Sequence, residues 1–223
     1  MSSHLPRLPQ VALEPRKLPV QERSAASVQA ILEATIQVLL DVGKDRLTTT
    51  RVAHRAGVSV GTLYQYFPNK GALLQAALRD HLESVTEAVE RVCREESGKP
   101  VREMASALVT GFLKAKMKDP KTSVALYAVS SDLDAWKIVR SIGERSNTTI
   151  AAMLESSREP LRQDAHIVAS VIQGAMAGVS RRLLECTSPE KQFEPMRQEL
   201  MLLISSYLDA CVAEPREMLL HSS

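Results

Sequence analysis

Apolar positions recur every three or four residues along most of this chain, and two-residue alternation is almost absent, so it reads as all-α. Val28, Ile31, Thr35, Val38 and Val42, with Leu32 and Leu39 beside them, mark a first helix that opens at Ser24 or Ser27 and ends at Gly43. After a loop over 44–47, Thr48 or Thr49 caps a short second helix with Val52, Ala53 and Ala56 on one side. Gly57 stops it, Val58 plugs the turn, and Ser59 caps a third helix whose inner face is Leu63 and Phe67. Pro68 breaks that helix and Asn69 caps a fourth running to about residue 97, with Leu73, Leu74, Ala77, Leu82, Val85, Val89 and Val92 inward. The pattern then gives a fifth helix over 101–118 and a sixth from Pro120 to about Ser130. A seventh is capped by Asp132 and closed by Pro160, with its middle weakened by Gly143 and Asn147–Thr149, where a helix can kink. The last two cover about 162–186 and 189–213, for roughly nine helices in all.

Before these, Pro6, Pro9, Pro15 and Pro19 rule out a helix over most of 1–23. Arg7, Arg16, Lys17 and Arg23 make this a basic, Pro-rich arm, either solvated or reaching toward DNA. A domain of 24–85 and a larger helical one of 86–223 follow, and 223 residues give ample core for both. Net charge is only +2, but residues 1–85 hold 10 Lys and Arg against 7 Asp and Glu, a weak positive lean. The three cysteines, Cys93, Cys186 and Cys211, lie far apart without a Cys-x-x-Cys and read as reduced core thiols of a cytoplasmic protein. No uninterrupted apolar run approaches the ~18 residues of a membrane span, and the N-terminus lacks a signal-peptide core. No His, Cys or carboxylate spacing suggests a metal, and no cofactor is expected.

The chemistry sits in 48–67, TTTRVAHRAGVSVGTLYQYF. Two short helices joined by a tight turn form a helix-turn-helix, and the second carries small, polar and aromatic residues suited to a DNA groove. Tyrosine and threonine hydroxyls donate to phosphates, glutamine pairs with adenine, and valine meets a thymine methyl. The same stretch contains Gly57-Val58-Ser59-Val60-Gly61, which spells the G-x-S-x-G of serine hydrolases. That motif needs a strand before its serine, whereas a helical segment precedes this one, so the chain is not expected to be an enzyme. A helical ligand-binding protein without DNA binding is the other alternative.

The run from Ala56 to Leu73 resembles the DNA-binding signature of the tetracycline-repressor (TetR) family of bacterial transcription regulators. The matching residues are Ala53, just before the run, and Ala56, Gly57, Val58, Ser59, Gly61, Leu63, Tyr64, Tyr66, Phe67, Lys70 and Leu73 within it. The resemblance covers about Ser24–Val85. It implies a homodimeric, ligand-responsive repressor that leaves a palindromic DNA operator when a small apolar effector enters the body. It also implies phosphate contacts from Thr49, Thr62, Tyr66 and Lys70, and base-edge positions at Val60, Gly61, Tyr64 and Gln65. Val60 departs from the family's common lysine or other polar residue there, which leaves Gln65 as the best reader.

Two further sites are expected in the larger domain. Phe112, Met117, Leu126, Tyr127, Trp136, Val139 and Met153 suggest an apolar cavity with two polar handles, suited to a neutral or weakly polar ligand. Lys114, Lys116 and Lys118 read as a helix end complementing its dipole. Val171, Gly174 and Gly178, with Leu200, Leu203, Ile204 and Tyr207, are assigned to a four-helix dimer interface. The glycine pair marks a close helix approach, either inside the core or between subunits.

Overall fold

The structure, a computed structural model, describes residues 20–132 and 135–212. Among them the chain forms nine helices: α1 Val20–Arg46, α2 Thr49–Ala56, α3 Val60–Tyr66, α4 Lys70–Glu96, α5 Val101–Lys116, α6 Pro120–Asp132, α7 Trp136–Glu155, α8 Ala165–Glu185 and α9 Pro189–Cys211. The only β-type pairing described is an isolated bridge between Leu161 and Val212.

Most boundaries fall where capping chemistry puts them. The side chains of Thr48, Ser59 and Asn69 accept the backbone N–H of Arg51, Thr62 and Ala72. Gly57 ends α2 at φ 69°, a left-handed conformation that costs a side-chain-bearing residue more. Gly43 interrupts α1 as expected, but three more residues stay helical beyond it. Helix α1 starts at Val20 rather than Ser24, so the last residues of the expected arm are helical; 1–19 lie outside the described residues.

Three sequence readings are corrected here. Asp132 ends α6 instead of capping α7, whose first turn has no side-chain cap. Helix α7 runs unbroken through Gly143 and Asn147–Thr149. Its threonines bond back to the carbonyls of Glu144 and Arg145, and Asn147 Nδ2 donates to His166 O and Ser170 Oγ of α8, so the polar residues are satisfied without a bend. Cys93 and Cys211 are buried, and burial pushes the Cys93 thiol up to about 11, but Cys186 is half-exposed with its Sγ against Arg182 O.

Two apolar cores result. The head core joins Ile31 and Val38 of α1, Val52 of α2, Leu63 and Phe67, and Leu73, Leu74 and Ala77 of α4. Leu126 and Val129 of α6 belong to it as well, so the larger domain contributes to the head. The body core gathers α5, α7, α8 and α9 around the second half of α4. Helices α4 and α5 pack tightly at Gly111, where an added Cβ would lie 2.6 Å from Val92 Cγ2. On α7, Arg145 pairs with both Glu83 and Glu90, which lie two turns apart on α4.

By length and composition, Ser24–Arg46 and Ala165–Glu185 are apolar enough to cross a membrane, which uninterrupted runs did not reveal. Glu33 and Asp41 interrupt the first, Arg181, Arg182 and Glu185 close the second, and each lays a stripe into protein: Ile31 and Val38 in the head, Val168, Ile172 and Met176 in the body.

Candidate nucleic-acid interface and ligand pocket

Leu63 and Phe67 anchor α3 to the head core and turn its other side outward. Gly61, Tyr64 and Gln65 are exposed, Tyr64 by 49%. Val60 and Tyr66 are half-buried and pack on the head core, so each offers only part of its surface to a partner. The Thr62 hydroxyl lies 2.8 Å from Ser59 Oγ, and the Thr49 hydroxyl lies 3.1 Å from the Tyr64 phenol. Lys70, in the first turn of α4, donates from Nζ to Asp45 O at 3.3 Å. The eight residues therefore lie on α2, α3 and the start of α4. From Arg46 to Arg79 the sequence holds five Lys and Arg and no Asp or Glu, a local positive excess facing a phosphate backbone, although Arg55 is paired with Asp41 of α1 at 2.6 Å.

Ser59 is spent on capping: its Oγ accepts from Thr62 N at 2.9 Å. A helix, not a strand, precedes it, so the context of a hydrolase nucleophile is missing.

The body contains a cavity of about 440 Å³ walled by α4, α5, α6, α7 and α8. Phe112, Leu126, Tyr127 and Val139 of the candidate set line it. Met117, Trp136 and Met153 do not. Met153 is 2% exposed inside the body core, Met117 faces a groove against Pro189 and Phe193 of α9, and Trp136 is 55% exposed beside Lys137. Being the sole tryptophan made Trp136 conspicuous, but its phase on α7 turns it to solvent.

The sequence reading missed His81, Lys116, Ser123 and Gln173, which supply polar groups to the wall. Lys116 was read with Lys114 and Lys118 as a basic helix end complementing its dipole, yet it is buried between those two exposed lysines. A signal was present: Val101, Met104, Leu108, Phe112 and Lys116 share one helical stripe. His81 Nε2 lies 3.2 Å from Ser123 Oγ, which donates to Lys116 O. Burial, reinforced by the nearby Lys116 charge and opposed by Asp119, holds the imidazole below its usual value and therefore neutral near pH 7.

Residues 31–77 match the family model described as "Bacterial regulatory proteins, tetR family", and residues 100–208 match "Tetracyclin repressor-like, C-terminal domain". The HTH-type transcriptional regulator BetI of Cronobacter sakazakii is 30% identical over 187 residues, covering 76% of this chain and 89% of that one. The chain belongs to the TetR family. Among solved structures, a TetR-family regulator from Mesorhizobium loti superposes with a TM-score of 0.71 at 16% identity, covering 86% of this chain and 99% of that one. SmeT, the repressor of the Stenotrophomonas maltophilia multidrug efflux pump SmeDEF, gives 0.63 at 19% identity, covering 86% and 93%, and it has also been solved as a complex with triclosan. At these identities the structural likeness speaks for the fold.

This TetR-family chain is thus a DNA-binding transcriptional regulator whose helical body matches the tetracycline-repressor-like C-terminal domain. The residues assigned to its dimer interface divide into two sets. Val171, Gly174, Gly178 and Leu203 are exposed and Tyr207 is half-exposed, whereas Leu200 and Ile204 are each 1% exposed within their own body core. Nothing lies within 4 Å of a Cβ built on Gly174 or Gly178, so these glycines do not mark a close helix approach inside the subunit, and Gly174 lines the cavity.

Proposed function

We propose that this regulator is a repressor that binds a palindromic operator as a homodimer and is released by a small molecule with a mostly apolar body. The observation that carries this reading is that Leu78 and Leu126 belong to the head core and also line the body cavity. A ligand that moves either side chain acts on the packing that orients α3. It shifts the equilibrium only by its preference for the releasing state, and such coupling typically amounts to about 1–3 kcal/mol.

The head, 24–85, would meet DNA through Gly61, Tyr64 and Gln65 at base edges, with Val60 at the margin. Thr49, Thr62, Tyr66 and Lys70 would bind phosphates. The body, 86–223, would dimerise through exposed apolar residues of α8 and α9: Ile167 is 61% exposed, Val171 47%, Leu202 62% and Leu203 56%. Such a patch on a helical body is suited to a two-fold bundle. The protein would work in the cytoplasm, where its DNA is, without an enzymatic activity of its own.

Selection of operator fragments from genomic DNA, followed by mobility shifts with hydrophobic compounds, tests the reading. Two-fold symmetric sites, steep salt dependence and release by a compound seated in the cavity are expected. Absence of any sequence-preferring complex would overturn it.

A further inference from the structure

Lys116 is 8% exposed and lines the cavity. No carboxylate among the described residues pairs with its ammonium; the Tyr127 ring, centred 6.0 Å away, is its recorded aromatic neighbour. None of the lining residues is an aspartate or glutamate. Asp119 is near, but its carboxylate caps α6, accepting from Thr122 N at 3.0 Å and from Thr122 Oγ1 at 2.5 Å. Arg181 lies 5.5 Å from the same Tyr127 ring, held by Glu185. Around Lys116 the wall is polar, with His81 and Ser123; the remainder is hydrocarbon, including Val85, Val89, Ile142, Ile150 and Met176.

A buried ammonium without a counter-ion is costly, and burial alone draws Lys116 below the usual lysine value. An anion brought by a ligand would relieve that cost, whereas a cationic ligand would meet Lys116 and no opposing acid. We propose that the cavity takes an amphipathic monocarboxylate, its hydrocarbon body against the apolar wall and its carboxylate on Lys116. This rests on the reading of the cavity as the effector site and sharpens it: the earlier expectation of a neutral ligand ignored a cation that the fold turns inward. The cavity volume of about 440 Å³ suits a medium-chain or single-ring acid.

The test uses the full-length protein and calorimetric titration with decanoate, phenylbutyrate, decanol and decyltrimethylammonium, each below its aggregation threshold. Both carboxylates are expected to bind at least tenfold more tightly than decanol, and the ammonium compound more weakly still. Lys116→Met should abolish the preference for decanoate over decanol while raising the melting temperature of the free protein, and Lys116→Arg should restore part of it. Unchanged circular dichroism and a single cooperative melting transition of Lys116→Met establish that the variant is folded. Equal affinity for decanoate and decanol in the unmodified protein, tighter binding of the ammonium compound, or a preference that survives Lys116→Met would overturn the proposal. DNA release is read separately. Lys116-dependent carboxylate binding that leaves the operator complex intact would retain this ligand class and remove the effector role. Release by decanol alone would do the reverse.

Discussion

The Thr49 hydroxyl and the Tyr64 phenol lie 3.1 Å apart, fastening the first turn of α2 to the exposed side of α3. Both hydroxyls belong to the proposed DNA surface, so they act as a unit. Thr49→Val and Tyr64→Phe should each weaken operator binding, and the double variant should lose less than the sum, with a coupling of about 0.5–1.5 kcal/mol. Strict additivity in a mobility-shift cycle would mean that each hydroxyl meets DNA on its own.

Gln65 and Lys70 should separate reading from anchoring. Gln65 is exposed on α3 and Lys70 reaches back from the start of α4 to Asp45 O. Gln65→Ala should relax preference at one or two base pairs, at a cost of about 1–3 kcal/mol. Lys70→Ala should weaken all sequences alike and lower the salt slope by about one unit. A change of preferred base on Lys70→Ala would invert these roles.

Gly111 sets the spacing of α4 and α5. Because its Cβ would fall 2.6 Å from Val92 Cγ2, Gly111→Ala should destabilise despite alanine's better helix propensity. Overpacking of this kind costs about 1–3 kcal/mol. Urea denaturation should show a lower midpoint, restored in the Gly111→Ala, Val92→Ala pair. An unchanged midpoint for the single variant would mean that the two helices part freely.

His81 should make body stability depend on pH. Its folded value lies below the unfolded value, so its contribution is fully present above about pH 6.5 and is lost as pH falls toward the folded value. Lys116, Asp119 and Ser123 are the groups that face it. The urea midpoint should fall between pH 7 and pH 5, and His81→Gln should flatten that fall. A slope unchanged by His81→Gln would place the sensitive group elsewhere.

The two faces of α9 should respond differently to charge. Leu203→Glu on the exposed face should give folded monomers, as should Val171→Glu on α8. Leu200→Glu should disrupt the body core, where Leu200 is 1% exposed. Light scattering with circular dichroism distinguishes the outcomes; dimers from both exposed-face variants would exclude that face as the interface.

The sequence by itself determined the all-helical architecture, the limits of α2 to α4 and the side of α3 that Leu63 and Phe67 leave free, from which the structure exposes Gly61, Tyr64 and Gln65. Those features depend on local rules: a capping hydroxyl three residues from its N–H, a glycine at positive φ, a proline that breaks a helix, and apolar residues one turn apart. Only the tertiary structure decided which helices share the cavity. It turned Trp136 outward, placed Met153 in the core, sent Leu200 and Ile204 into their own subunit, and joined α6 to the head through Leu126. The phase of a helix shows which residues share a face, but what covers that face depends on segments distant in the chain. Lys116 is the plainest case: its stripe was legible in the sequence, and its burial became so only once α4, α6 and α8 had closed around it.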